Sequence, residues 1–266
     1  MVNALALLGS LLLASAALAA PSSRLAARLD RRREGRQSKP INRIEPAVQE
    51  LSRPTNVSHV EYSSNWAGAV YDSAAGSYKA VTATFVVPTP KAASGETSGA
   101  ASAWVGIDGD TCANAILQTG VDFMVTNGAV SYDAWYEWYP DYAYDFSGIT
   151  IAAGNSITIT VTATSTKAGT AVITNNTTGK TVTKSLTSTY ALCEQNAEWI
   201  VEDFEEGSSL IPFANFGTVT FTNAYATSPS GTKISPAGAT IIDIEQNNVV
   251  LTSVTTGANT VTVKYV

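Results

Sequence analysis

The sequence predicts an all-β fold: a single-domain antiparallel β-sandwich of the jelly-roll or concanavalin-like type, behind a signal peptide and a basic pro-segment. Three observations predict it. Ser77–Pro88 (SYKAVTATFVVP), Asn155–Ser165 (NSITITVTATS) and Asn259–Val266 (NTVTVKYV) alternate Thr with Val, Ile or Ala, the period-two pattern of half-buried strands rich in β-branched residues. The stretch GTAVITNNTTGKTVTKSL reads as a hairpin, with Asn175–Gly179 supplying the turn. Beyond residue 54 no stretch has a helical period, and no repeat or internal linker appears. Many short strands without helices imply a sandwich or jelly roll, and about 210 residues suit one well-buried core.

Residues 1–20, MVNALALLGSLLLASAALAA, form an apolar Leu/Ala block. Ala17-Leu18-Ala19 fits the small-x-small pattern of a secretory cleavage site. No Lys or Arg precedes the block, so only the α-amino group supplies positive charge. A membrane anchor is the alternative, since the block is nearly long enough to span; the cleavage pattern favours a removed signal. Later segments are not apolar enough to cross a bilayer, so a secreted, extracellular protein free of the membrane after processing is expected.

Residues 21–54 hold nine of the chain's 16 basic residues, including every arginine. Only Leu25 and Leu29, one helical turn apart, suggest a helix there. The body, residues 55–266, keeps seven basic and 18 acidic residues, a formal charge of −11. A basic arm for nucleic acid is the bland reading. A secreted context and an acidic body, repellent to phosphate, make nucleic acid a poor partner. The segment is read instead as a propeptide that sits electrostatically on the body and inhibits it. The body is also expected to be more stable in acid, where its crowded carboxylates are neutralised.

Cys112 and Cys193 are the only cysteines; in a secreted chain an even pair predicts one disulfide rather than two buried thiols. Glycosylation sequons occur at Asn56, Asn175 and Asn176. The only histidine, His59, lies near the expected processing junction. It is badly placed for a Ser-His-Asp or Cys-His enzyme. No metal site is predicted, for want of a His cluster or Cys-x-x-Cys, and no phosphate-cradling loop or cofactor motif occurs. Carboxylates remain for proton chemistry, which suits an enzyme working in acid.

Three segments stand out from the Thr/Val background: Ala101–Phe123 (ASAWVGIDGDTCANAILQTGVDF), Tyr132–Ile149 (YDAWYEWYPDYAYDFSGI) and Cys193–Gly207 (CEQNAEWIVEDFEEG). A bond between the two cysteines would tie the first to the third. With SSNWAGAV, these motifs run in order through nearly the whole body, and the chain resembles the glutamic peptidases, or eqolisins, a family of secreted acid endopeptidases. The resemblance implies a two-sheet sandwich with a groove on one face, a catalytic glutamine and glutamate, a disulfide matching Cys112–Cys193 and a removed basic propeptide. By motif the catalytic pair is Gln118, of A-I-L-Q-T-G, and Glu202, the second glutamate of A-E-W-I-V-E. Protein or peptide substrates and a monomeric enzyme are expected, with pepstatin-type inhibitors ineffective.

The residues make chemical sense of that pair. An ionised Glu202 of ordinary or lowered pKa can take a proton from water and return it to the leaving amine. The Gln118 amide can donate to the tetrahedral oxygen and stays uncharged in acid. Trp66, Trp104, Asp133, Trp135 and Glu137 fall in segments that line the family's groove, with core or rim packing as the alternative for each tryptophan. Asp108 of GIDGD either joins them, holds a turn or orients a catalytic partner. Glu198, four residues before Glu202 and on the same strand face, is the internal competitor for the role of base. The loop after the catalytic strand, EEGSSLIPF, is short and lacks cysteine, unlike the longer disulfide-bearing loop of fungal members, so substrate preference does not carry over. The rival class is a jelly-roll glycoside hydrolase or carbohydrate-binding lectin, suggested by the Trp/Tyr-rich segment and paired acids. Positions 198, 200 and 202 read Glu, Ile, Glu, so the middle acid of a glucanase-like strand is missing.

Overall fold

The structure is a computed structural model that describes residues 35–44, 60–207 and 209–266. The predicted signal peptide, the Leu25/Leu29 helical turn, His59 and the Asn56 sequon lie outside these residues. Among the described residues there is no α-helix and one 3₁₀ turn, Pro236–Gly238.

Two large sheets face each other. The Thr-rich stretches build the eight-stranded one, in which Ala80–Val86, Ser156–Ser165 and Val261–Tyr265 replace the slightly longer predicted strands. The predicted hairpin is Ala168–Asn175 paired with Lys180–Thr187. Ile157, Ile159 and Val161 point inward while Thr158, Thr160 and Thr162 stay half-exposed, as strand alternation requires. The hairpin also separates two of the sequons: Asn175 is buried and bonded to Thr150 and Asn155, whereas Asn176 is exposed.

The nine-stranded sheet carries the three unusual segments. From one edge its main strands run Thr240–Gln246, Trp66–Asp72, Asn196–Glu202, Ser98–Ile107, Ile116–Thr126 and Ala129–Tyr139. Their ladders are antiparallel, but Val60–Ser63 pairs in parallel with Thr240–Gln246, which the sequence did not predict. One face of this sheet meets the Thr-rich sheet in the main core, through Ala197, Trp199, Val201, Leu117, Val121 and Phe123 among others; burying each large apolar side chain contributes about 1.5–3 kcal/mol. The opposite face has its own apolar cluster of Trp66, Trp104, Trp135, Ile200 and Ile242. Buried on both faces, the strand Asn196–Glu202 lies wholly inside the molecule.

Turn chemistry sets the register of the second face. Asn127 and Gly128, both at positive φ, link Ile116–Thr126 to Ala129–Tyr139; a two-residue Asn-Gly loop of this kind matches strand twist. The resulting ladder puts Gln118 opposite Glu137 and Asp122 opposite Asp133. Close approach demands glycine at Gly68, where a Cβ would stand 2.0 Å from the Trp199 carbonyl oxygen.

Candidate active site

Cross-strand partners arrange the second face in rows. One row runs Val70, Glu198, Gly106, Gln118, Glu137. The next runs Gly68, Ile200, Trp104, Gly120, Trp135, and the third Trp66, Glu202, Ser102, Asp122, Asp133. Gln118 and Glu202 therefore sit on the two strands that flank Ser98–Ile107, two rows apart on one face. With no side chain at Gly106 and Gly120, the Trp104 indole has room between them, and its Nε1 donates to Glu202 Oε2 at 2.8 Å. Trp66 meets Trp104 edge-on, with ring centroids 4.9 Å apart, and Trp135 Nε1 donates to Ser102 Oγ at 3.0 Å. The structure thus brings together Gln118, Glu202, Trp66, Trp104, Asp133, Trp135 and Glu137.

Asp108 lies elsewhere. Buried and at φ 68, it accepts four backbone N–H groups, from Cys193, Glu194, Gln195 and Asn196, at 2.7–3.1 Å. Both carboxylate oxygens are spent on the turn that leads into the Glu202 strand, leaving it no reach into the groove. Of the readings open in the sequence, the geometry matches turn-holding. The Cys112–Cys193 disulfide closes the same junction.

Residues 36–42 of the basic segment lie across this face, bonded at successive residues. Arg36 O accepts from Ala143 N, Gln37 Nε2 donates to Pro140 O, and Ser38 N donates to Glu137 Oε2. Lys39 O accepts from Trp66 Nε1, and Ile41 N donates to Gly109 O. Arg36–Gln37 also forms a short strand on Glu205–Glu206, which in turn pairs with Ser209–Leu210, so the stretch EEGSSLIPF is partly strand. The Arg36 guanidinium is buried. It meets Asp122 at 2.6 and 3.0 Å, lies 3.4 Å from Glu137, and stacks between the Trp135 and Phe204 rings at 4.1 and 4.3 Å. Lys39 pairs with Glu205, and Arg43 with Asp110 and Glu61.

Ser38 stands at the centre. Its carbonyl oxygen accepts from Gln118 Nε2 at 2.9 Å. Its hydroxyl accepts from Arg36 Nη1 at 3.1 Å and is near enough to Glu202 to favour that carboxyl's charged form. Asp122, Ser102 and Phe204 join the site without having been singled out in the sequence. Asp122 and Ser102 were within reach of the period-two rule, being i+4 from Gln118 and i−2 from Trp104.

Burial dominates the proton chemistry. It pushes the Glu202 carboxyl up to about 8, against the pull of Arg36, Ser38 and the Trp104 N–H. Burial also raises Glu137 well above the carboxylate range, despite Arg36. The ordinary or lowered pKa expected for Glu202 is thus not what the covered groove provides, because the segment shuts out the water that would stabilise its charge. Burial raises Asp203 to about 7 and Asp243 to about 6.

Residues 64–265 match the family described as Peptidase A4, and the chain belongs to it: it is a glutamic peptidase, an eqolisin. Its relatives include aspergillopepsin-2 of Aspergillus niger, 50% identical over 275 residues that cover 96% of each chain. Scytalidopepsin B of Scytalidium lignicola is 42% identical over 270 residues, covering 98% of each. The fold is similar to scytalido-glutamic peptidase solved with a transition-state analogue inhibitor (TM-score 0.70, 46% identity, 76% of this chain and 98% of that one). It is also similar to aspergilloglutamic peptidase from Aspergillus niger (TM-score 0.62, 60% identity, 63% of this chain and 99% of that one). Family membership decides for the peptidase over the carbohydrate-active reading.

Because Asp243, Asp203 and Glu202 bind protons more tightly folded than unfolded, the stability they contribute is whole below the ordinary carboxyl range. It is lost as pH rises through about 6, 7 and 8 respectively. Thermal melts of the full-length chain should give a higher midpoint at pH 4 than at pH 7. An equal or lower midpoint at pH 4 would contradict this.

Proposed function

We propose that the protein is a secreted acid endopeptidase in which Glu202 and Gln118 hydrolyse peptide bonds, and that residues 35–44 act as its built-in inhibitor. The observation that carries this reading is Ser38, whose carbonyl accepts from Gln118 and whose hydroxyl lies on the Glu202 side. A peptide bond of a substrate laid along the same path has its carbonyl oxygen at the Gln118 amide and its leaving nitrogen on the Lys39 side. Both groups come from one chain, so a monomer suffices. Residues 1–20 are read as the signal that exports it.

In the open groove Glu202 removes a proton from a water molecule as the water oxygen attacks the carbonyl carbon. Negative charge gathers on the carbonyl oxygen, where the Gln118 N–H donates to it. The carbon–nitrogen bond then breaks as Glu202 delivers the proton to the amine. Uncovering the groove admits water, and since burial is the largest cause of the raised Glu202 pKa, exposure lowers it toward the working range; the Trp104 N–H continues to favour the carboxylate.

The segment blocks this chemistry in two ways. Its cover keeps the Glu202 proton in place, and the Ser38 hydroxyl takes the position beside Glu202 that the attacking water needs. The seat of Arg36 between Asp122, Glu137 and two aromatic rings suits a cationic side chain two residues before the cleaved carbonyl. The charge pairs that hold the segment weaken in acid, which loosens it.

The processed enzyme should cleave denatured protein at about pH 2–4, near the carboxyl range, with pepstatin-type inhibitors having little effect. Glu202→Gln and Gln118→Ala should each lower kcat by about 10²-fold or more while circular dichroism stays unchanged; folded, fully active variants would refute the pair. In the full-length chain, Ser38→Gly should open the water position. Mass spectrometry should then show faster cleavage after residue 38 at pH 4 than in the wild type. No increase would contradict the role given to the hydroxyl.

A further inference from the structure

One buried group on the groove face has no part in the chemistry above. Glu198 is completely buried, and neither of its carboxyl oxygens has a hydrogen-bond partner among the described residues. A buried polar atom left unpaired gives up its hydration for nothing, and a charged one loses most. Gln118 presents the same problem: its Nε2 donates to Ser38 O, while its Oε1 is buried and unpartnered.

These orphan atoms lie in one row. Glu198 is opposite Gly106, and Gly106 is opposite Gln118. A Cβ on Gly106 would stand 2.7 Å from Glu198 Oε1 and 3.4 Å from Gln118 Cβ. The carboxyl therefore fills the space of the missing side chain, and Gln118 borders that same space. Two unpartnered acceptors bordering one space can bond only if one carries a hydrogen, and an amide oxygen never does.

We propose that Glu198 is a positioning residue for Gln118: as a neutral acid it donates its hydrogen to Gln118 Oε1 over Gly106. The bond leaves only one useful orientation of the amide. A glutamine rotated by half a turn would aim its oxygen at the developing oxyanion and repel it; a donor at Oε1 removes that orientation and polarises the amide, which strengthens its N–H groups as donors.

The surroundings keep Glu198 neutral. Burial is the largest effect, and the charged groups that act on it, Asp108 and Asp110, are both acidic; Tyr78 also senses its charge. Val70 flanks it on the other side, and the Trp104 ring lies 2.9 Å from the same Gly106 position. Glu137 faces Gln118 from the opposite strand and its Oε1 is also buried and unpartnered, but its Oε2 is engaged by Ser38 N and Arg36, so its state changes with whatever fills the groove. Glu198 bonds nothing in the segment and is available in either state.

The inference rests on the Glu202/Gln118 reading, and its test keeps the two apart. Processed Glu198→Leu should keep its fold and a KM near wild type while kcat at pH 3–4 falls about 10-fold or more, part of the 10²–10³ carried by an oxyanion donor. Glu198→Gln, whose amide can still donate, should keep kcat within about threefold, a small fraction of that effect. Because the introduced amide cannot ionise, kcat of this variant should also persist to higher pH than in the wild type. Folded Glu198→Leu with wild-type kcat, or Glu198→Gln as impaired as Glu198→Leu, would overturn the proposal. If Glu198→Leu does not fold, the Glu198→Gln profile decides, and one superimposable on wild type refutes it. Gln118→Ala assayed in parallel separates the cases. If it is active, the catalytic pair fails; if it is inactive while Glu198→Leu is unimpaired, only the positioning role fails.

Discussion

The contact on which the covered groove depends is the buried Arg36 guanidinium, clamped bidentately by Asp122, facing Glu137 and sandwiched between Trp135 and Phe204. Asp122 is buried on this face with Glu137 nearby, and the body contains no arginine to pair with it. The counter-charge comes from the basic segment. A buried ion pair is a weak net stabiliser, yet removing one partner costs about 3–5 kcal/mol because the other charge is left unmatched. Arg36 and the groove therefore hold each other closed, and register follows: with Arg36 seated, Ser38 falls between Gln118 and Glu202. The same burial that excludes water keeps Glu202 protonated.

Acid acts on both halves of this arrangement. On the proposed reading acid weakens the charge pairs made by Arg36, Lys39 and Arg43, while burial already favours the neutral forms of Glu202, Asp203 and Asp243. A protein whose closed form needs charge and whose core tolerates its loss can open in acid without unfolding. Having no arginine beyond residue 53 is then physically consistent: with seven lysines as its basic residues, the body can form few ion pairs.

Much of this was legible in the sequence. Thr/Val alternation marked the strands of the solvent-facing sheet because their outer face is wet, so the period of two survives in composition. The strand NAEWIVE is buried on both faces and shows no such alternation of polarity, and only its motif identified Glu202. Gln118 looks like an ordinary strand residue until the cross-strand register places it beside Gly106 and Glu137. Asp108 belongs to the turn and not to the groove lining; its four backbone donors come from Cys193–Asn196, far away in the chain, so no local pattern announced them. The basic segment was legible as a charge pattern, but which arginine enters the groove depends on long-range packing against Trp135 and Phe204, which no local pattern encodes. The parallel pairing of Val60–Ser63 was equally hidden, since strand direction leaves no mark on periodicity.

The central claim, that the segment inhibits by placing Ser38 between Gln118 and Glu202 with Arg36 as its anchor, is tested most directly in trans. A synthetic peptide covering residues 35–44 added to the processed enzyme should inhibit competitively at mildly acidic pH and lose potency as pH falls, and the same peptide with Arg36→Ala should be far weaker. Inhibition that is absent, non-competitive or indifferent to Arg36 would contradict the account.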